Sequence, residues 1–241
     1  MDNNDFIMYE KMKSLYTDKA ISDNEASYLI RLYNAIANIK DHFVKSSTPF
    51  SNDDEEEKVE NGINCELYRL FQNSIESSSN PLKLMVGPEN KKHVSTNEER
   101  ILNKFDIQPD FVVHHVNEGY SCQLIVGEIK RRSALTIDKI AWDINKLLLC
   151  TNHEIWGGHE FSYPVFVVFS SNNAILKKKI KGFLENEREL VFKNVDATES
   201  RTTLKRYLNV HCEEIKHIIC FMWHKYNEVT FETLYDIINK E

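Results

Sequence analysis

No run in this chain approaches the roughly 20 consecutive apolar residues that a membrane-spanning helix needs. The first ten residues are polar and acidic, so no secretory signal is expected. Cysteine is scarce and odd in number. Cys65, Cys122, Cys150, Cys212 and Cys220 lie mostly within apolar patterns, which argues against a disulfide framework or a zinc cluster and for buried thiols in a reducing compartment. An intracellular protein of the cytoplasm or nucleus, with no membrane partner, is expected. Excess positive charge is also lacking. The net charge of −7 argues against a protein that coats nucleic acid strongly, although much of that charge is local. There is no Walker loop, dinucleotide glycine fingerprint, G-x-S-x-G or H-E-x-x-H motif, and no internal repeat.

What remains is enough for a substantial core. The 241 residues, 41% hydrophobic and 11% aromatic, suit one large domain or one domain with a helical appendage. Residues 46–54, rich in Ser, Asn, Asp and Pro, mark a division. Residues 1–45 read as an N-terminal helical segment. Its evidence is a capping box at Ser22-x-x-Glu25 followed by Ala26, Leu29, Ile30, Tyr33, Ile36 and Ile39 at helical spacing. Residues 46–58, with the unbroken acidic run Asp53 to Glu57, read as a solvated linker. Residues 59–200 read as a core in the order helix (59–77), strand (82–86), polar loop (91–106), two strands of a hairpin, helix (from Thr136), strand (163–169), helix (175–184) and a further strand (189–195). Residues 201–241 read as helices packed on that core, a long one over 202–226 and a short closing one over 231–238.

The chemistry concentrates in the hairpin. Pro109-Asp110-Phe111-Val112-Val113 and Leu124-Ile125-Val126-Gly127-Glu128-Ile129-Lys130 are short apolar runs carrying two carboxylates and a lysine. Asn117-Glu118-Gly119 between them looks like a turn. A three-residue turn with Gly119 in the left-handed position sets Val116 opposite Tyr120 and Asp110 opposite Val126. Asp110, Glu128 and Lys130 then share one face, with the carboxylates as diagonal neighbours. A two-residue turn reverses that parity unless a bulge restores it. E-x-K occurs four times, at Glu56/Lys58, Glu89/Lys91, Glu128/Lys130 and Glu214/Lys216, but only Glu128/Lys130 ends an apolar strand with a Pro-Asp strand before it. Two carboxylates bind a hard divalent cation, and a lysine beside them can position a water or a phosphate oxygen. The structural alternative is that Asp110 caps a strand start and Glu128 pairs with Lys130 or Arg131 at a sheet end.

These residues resemble the PD-(D/E)xK nuclease superfamily, with Pro109-Asp110 as the first half of the motif and Glu128-Ile129-Lys130 as the second. Asp143-Ile144-Asn145-Lys146-Leu147 is similar to a D-x-x-K-L pattern of fungal nuclease-like members. The resemblance covers roughly residues 59–171. It implies an α/β, restriction-endonuclease-like mixed sheet flanked by helices, here with helical additions at both ends. It implies Mg²⁺ or Mn²⁺ held by Asp110, Glu128 and the backbone carbonyl of Ile129. Lys130 would orient or deprotonate the attacking water. An acidic residue on the preceding helix, Glu66 in preference to Glu60, would complete the site, and Lys146 would reach the scissile phosphate. The expected activity is metal-dependent hydrolysis of nucleic-acid phosphodiesters, with DNA favoured over RNA and a homodimer compatible.

Two other readings stand beside this one: a catalytically silent nuclease-fold module that binds nucleic acid or a protein, and a helical interaction protein in which Asp110 and Glu128 are incidental. Adjacent His114 and His115 point to opposite strand faces and cannot share one metal. His153 and His159 lack partners at zinc spacing, and His211, Cys212 and His217 read as packing and surface residues. Trp142 and Trp223 read as packing residues. The basic runs Lys130-Arg131-Arg132 and Lys177 to Lys181 read as a solvated face or a phosphate track.

Overall fold

A computed structural model describes residues 3–15, 20–44, 53–77, 80, 82–88, 109–115, 123–153, 160–184, 214–226 and 228–239. The helices are α1 (Asn3–Ser14), α2 (Asp23–Ala37), α3 (Asp41–Val44), α4 (Asp53–Glu76), α5 (Ile137–Cys150), α6 (Asn173–Leu184) and α7 (Leu234–Asn239). The strands are β1 (Leu84–Pro88), β2 (Phe111–His115), β3 (Gln123–Arg131), β4 (Tyr163–Phe169), β5 (Ile219–Lys225) and β6 (Glu228–Thr233). The six strands form one mixed sheet in sequential order β1-β2-β3-β4-β5-β6. β1–β2, β2–β3 and β5–β6 pair antiparallel, whereas β3–β4 and β4–β5 pair parallel. Among the described residues no helix is long and apolar enough to cross a membrane.

Helices cover both sheet faces. Ile125, Ile129, Val165, Val167, Phe221 and Trp223 belong to a core shared with α1, α2, α3 and α4. Val126, Phe166, Val168, Cys220 and Met222 belong to a second core with α5, α6 and α7. The alternation along each strand divides the side chains between these two cores. β4 is buried along its whole length, as its unbroken apolar run implies. The capping box of α2 is present: Ser22 Oγ accepts from the Glu25 N–H at 3.3 Å, and Glu25 Oε2 accepts from the Ser22 N–H at 2.9 Å.

Three sequence expectations require correction. The acidic run 53–57 is not linker but the start of α4, where negative charge suits the positive end of the helix dipole. Residues 219–225 are not helical: they form β5, with β4 on one side and β6 on the other. Ile218, Ile219 and Met222 fit a helical period, but a strand buried on both faces also reads as a continuous apolar run. The expected closing helix starts late, because Glu228–Thr233 alternates exposed and buried residues as β6 and α7 begins only at Leu234. The residues at 201–241 therefore do not form a purely helical addition, since β5 and β6 complete the sheet. Cys150 and Cys220 are buried as expected, but Cys65 is exposed on α4. The 91–106 loop, the 117–119 turn and the 189–195 strand lie outside the described residues.

Candidate functional site

The register between β2 and β3 decides which side chains meet. Phe111 pairs with Gly127, Val112 with Val126 and Val113 with Ile125. Extending that register by one residue puts Asp110 directly across from Glu128, not opposite Val126. Nearer the turn, His114 pairs with Gln123, and a bulge between Val113 and His114 shifts the count by one. The bulge restores the parity that the pairing at His114 would have reversed. Asp110 and Glu128 thus share the face covered by α5. The close fit of Phe111 over Gly127 fixes this register: a Cβ at Gly127 would run into the Phe111 ring. A glycine within an otherwise apolar strand marks such a close approach.

β3 leads through a short 3₁₀ turn into α5, whose first turn is capped by Thr136 Oγ1 accepting from the Lys139 N–H at 3.2 Å. The apolar stripe of α5, including Ile140, Ile144 and Leu147, packs on the sheet. Asp143 and Lys146, one turn apart, are buried on the same helix. Lys146 Nζ donates to Glu128 Oε2 at 2.5 Å and lies 3.2 Å from Asp143 Oδ1. Lys130 Nζ lies 3.5 Å from Asp143 Oδ2 and 4.0 Å from Asp110 Oδ2, and donates to the Ile129 carbonyl at 3.0 Å. Asp110 Oδ2 accepts from the Ile129 N–H at 2.6 Å.

The site is graded in depth. The side chains of Asp110, Lys130 and Lys146 are 15%, 12% and 10% exposed, whereas Glu128 is 0% exposed. Glu128 Oε1 has no hydrogen-bond partner among the described residues. Burial pushes the Glu128 carboxyl well above its usual range, despite the ammonium groups of Lys146 and Lys130. Burial likewise raises Asp110 against the pull of Lys130 and Lys146. Burial alone would lower Lys146, but the carboxylates of Glu128, Asp143 and Asp110 and the hydrogen bond to Glu128 hold it above the ordinary lysine value. With all five groups ionised, three carboxylates face two ammonium groups and one negative charge remains.

The geometry brings together Asp110, Glu128, Ile129, Lys130 and Lys146. It does not bring in Glu66. That residue stands on α4, which covers the opposite sheet face, and both its oxygens accept from the Arg69 guanidinium at 2.8 Å. The hydrogen bonds from Arg69, with the charges of Arg69, Lys40 and His42, hold its carboxyl below the usual range. The side chain of Glu60 lies outside the described part of the structure. Sequence reasoning gave Asp143 no role, although it touches both lysines. The signal was an acid one turn before a lysine on the helix that follows the E-x-K strand.

His114 and His115 are half-buried at the far end of β2. His153 is exposed and pairs with Glu160. Trp223 is fully buried in the core, where no base could stack on it. Among the described residues no three His, Cys, Asp or Glu side chains form a ready-made metal cage. Here the ammonium groups stand between the carboxylates. Compared with known proteins, the chain matches no family model, no curated protein and no solved structure.

Proposed function

We propose that this cluster is the active site of a divalent-cation-dependent nuclease, hydrolysing phosphodiester bonds of nucleic acid, DNA in preference to RNA. The observation that carries this reading is the juxtaposition of Asp110 and Glu128 on one sheet face, with the ammonium groups of Lys130 and Lys146 against them. The order α4-β1-β2-β3-α5-β4 supports a restriction-endonuclease-like core, since it is the order the resemblance implies.

The donor set suits Mg²⁺ or Mn²⁺. It consists of hard oxygens from Asp110, Glu128 and the Ile129 carbonyl, with a surplus negative charge and an open acceptor on Glu128 Oε1. A bound cation would polarise the phosphate and lower the pKa of a bound water. The chain's own residues do the rest. Lys130, at the more exposed rim, orients the attacking water and steadies charge developing on the phosphate oxygens. Lys146 is placed to reach the phosphate from the helix side. The buried floor formed by Glu128 keeps bulk water from that side of the reaction.

The test is incubation of the purified chain with labelled single- and double-stranded DNA and RNA, with Mg²⁺, Mn²⁺ or EDTA. Cleavage that requires the metal and is lost in Asp110→Asn is the expected result. A second reading, a catalytically silent module that binds nucleic acid or a protein, is favoured by one observation: an ammonium group already seated on Glu128. Binding without cleavage under every metal condition would establish it instead.

A further inference from the structure

We propose that Lys146 occupies the cation's seat in the metal-free protein, and that a divalent cation enters by displacing its ammonium group from Glu128, with Asp143 retaining the displaced lysine. This rests on the cation-dependent reading above and adds a competition within the chain.

Lys146 Nζ lies 2.5 Å from Glu128 Oε2 and 3.2 Å from Asp143 Oδ1. Lys130 fills the other side, 3.0 Å from the Ile129 carbonyl and 3.5 Å from Asp143 Oδ2. The oxygens suited to a cation thus already face ammonium groups, while Glu128 Oε1 keeps an open acceptor. Mg²⁺ requires oxygen contacts of about 2.0–2.1 Å. A doubly charged ion at that distance from Glu128 Oε2 competes with the ammonium at 2.5 Å on the same oxygen, because like charges repel strongly where water is excluded.

Asp143 is the receiver that the fold provides. It stands one turn before Lys146 on the same helix, so the flexible lysine stem can swing off Glu128 while keeping its bond to Asp143. Asp143 acts through the lysines and is a positioning residue. Asp110 and Lys130 complete the set of charged groups around the seat.

Calorimetric titration of Mg²⁺ and Mn²⁺ into the full chain tests the competition, using wild type, Lys146→Met and Asp110→Asn. Methionine keeps much of the apolar stem and removes the charge. Lys146→Met should bind the cation at least about tenfold more tightly than wild type, equivalent to about 1.4 kcal/mol. Asp110→Asn should bind more weakly than wild type. Binding by Lys146→Met alone overturns displacement by the cation, since the wild type would then never admit it. Equal affinity in wild type and Lys146→Met overturns the lock and leaves the cation site standing. Absence of binding in both overturns lock and cation site together.

A second measurement needs no variant. The lysines of wild type are labelled with an amine-reactive reagent and resolved by mass spectrometry, using exposed Lys139 on the same helix as reference. Mg²⁺ should raise Lys146 labelling severalfold relative to Lys139. An unchanged ratio at saturating Mg²⁺ overturns the displacement.

Discussion

Glu128 has one oxygen against an ammonium group and the other against no donor, at a depth water does not reach. Its raised pKa, and that of Asp110, carry a definite sign. Between the unfolded carboxyl pKa of about 4 and the raised folded values, the folded chain holds more protons than the unfolded chain. In EDTA, these groups' contribution to stability is therefore fully present below about pH 4 and is lost as pH rises through the folded pKa values. Under the proposed function, a divalent cation would compete with those protons, so its apparent affinity should climb across the same window. Urea unfolding between about pH 5 and pH 8, with EDTA or Mg²⁺, checks both slopes. Mg²⁺ stabilisation should grow with pH in wild type and largely vanish in Asp110→Asn. Lys130→Ala addresses the chemistry. If Lys130 acts on the attacking water, turnover should drop by about 10²-fold or more while substrate affinity changes within a few-fold. Single-turnover cleavage at wild-type speed would remove Lys130 from the mechanism. The grouping of Asp110, Glu128 and Lys130 was legible in the sequence, whereas the seating of Lys146 on Glu128 and the contacts of Asp143 with both lysines were not. Which face α4 covers was not legible either, and that face is what keeps Glu66, paired with Arg69 one turn along the same helix, away from the cluster.

At the scale of elements, the β2–β3 hairpin was legible in parity but not in register. The shared face of Asp110 and Glu128 was expected from a three-residue turn that lies outside the described residues, and the inserted bulge residue that sets the observed register leaves no compositional mark. The contact of Phe111 with Gly127 is what pins the pairing. Gly127→Ala should accordingly destabilise the fold by about 1–3 kcal/mol through overpacking. Combining it with Phe111→Leu should recover part of that loss, since the ring is the obstacle. Denaturation midpoints of the two single variants and the double variant measure the coupling. The failure at β5 has another cause. Ile219, Phe221 and Trp223 enter one core while Cys220 and Met222 enter the other, so no polar face signals a strand. Only tertiary pairing with β4 and β6 distinguishes that segment from a buried helix.

For the whole molecule, a net charge of −7 means that any contact with a polyanion must be local. Lys177, Lys178, Lys179 and Lys181 lie together on α6, within the layer that also contains α5. If they track a phosphate backbone, replacing all four with glutamine should weaken nucleic-acid binding at low salt. It should also flatten the salt dependence by about 0.7–0.9 log units per lost phosphate contact, with the chemical step little changed. Filter binding across a salt series and single-turnover cleavage separate the two effects. The layered α/β architecture was legible from segment order up to β4. The last two strands were not, because their pairing is a property of the assembled sheet.

The bulge between Val113 and His114 separates the pairing around the carboxylates from the pairing at His114. On the carboxylate side the register is held by Phe111 over Gly127 and by Val112 against Val126. A one-residue shift in the pairing at His114 is therefore taken up at the bulge without turning Asp110 to the other side of the sheet. Asp110 and Glu128 thus stay on one side of the sheet although the pairing at His114 runs in the other parity.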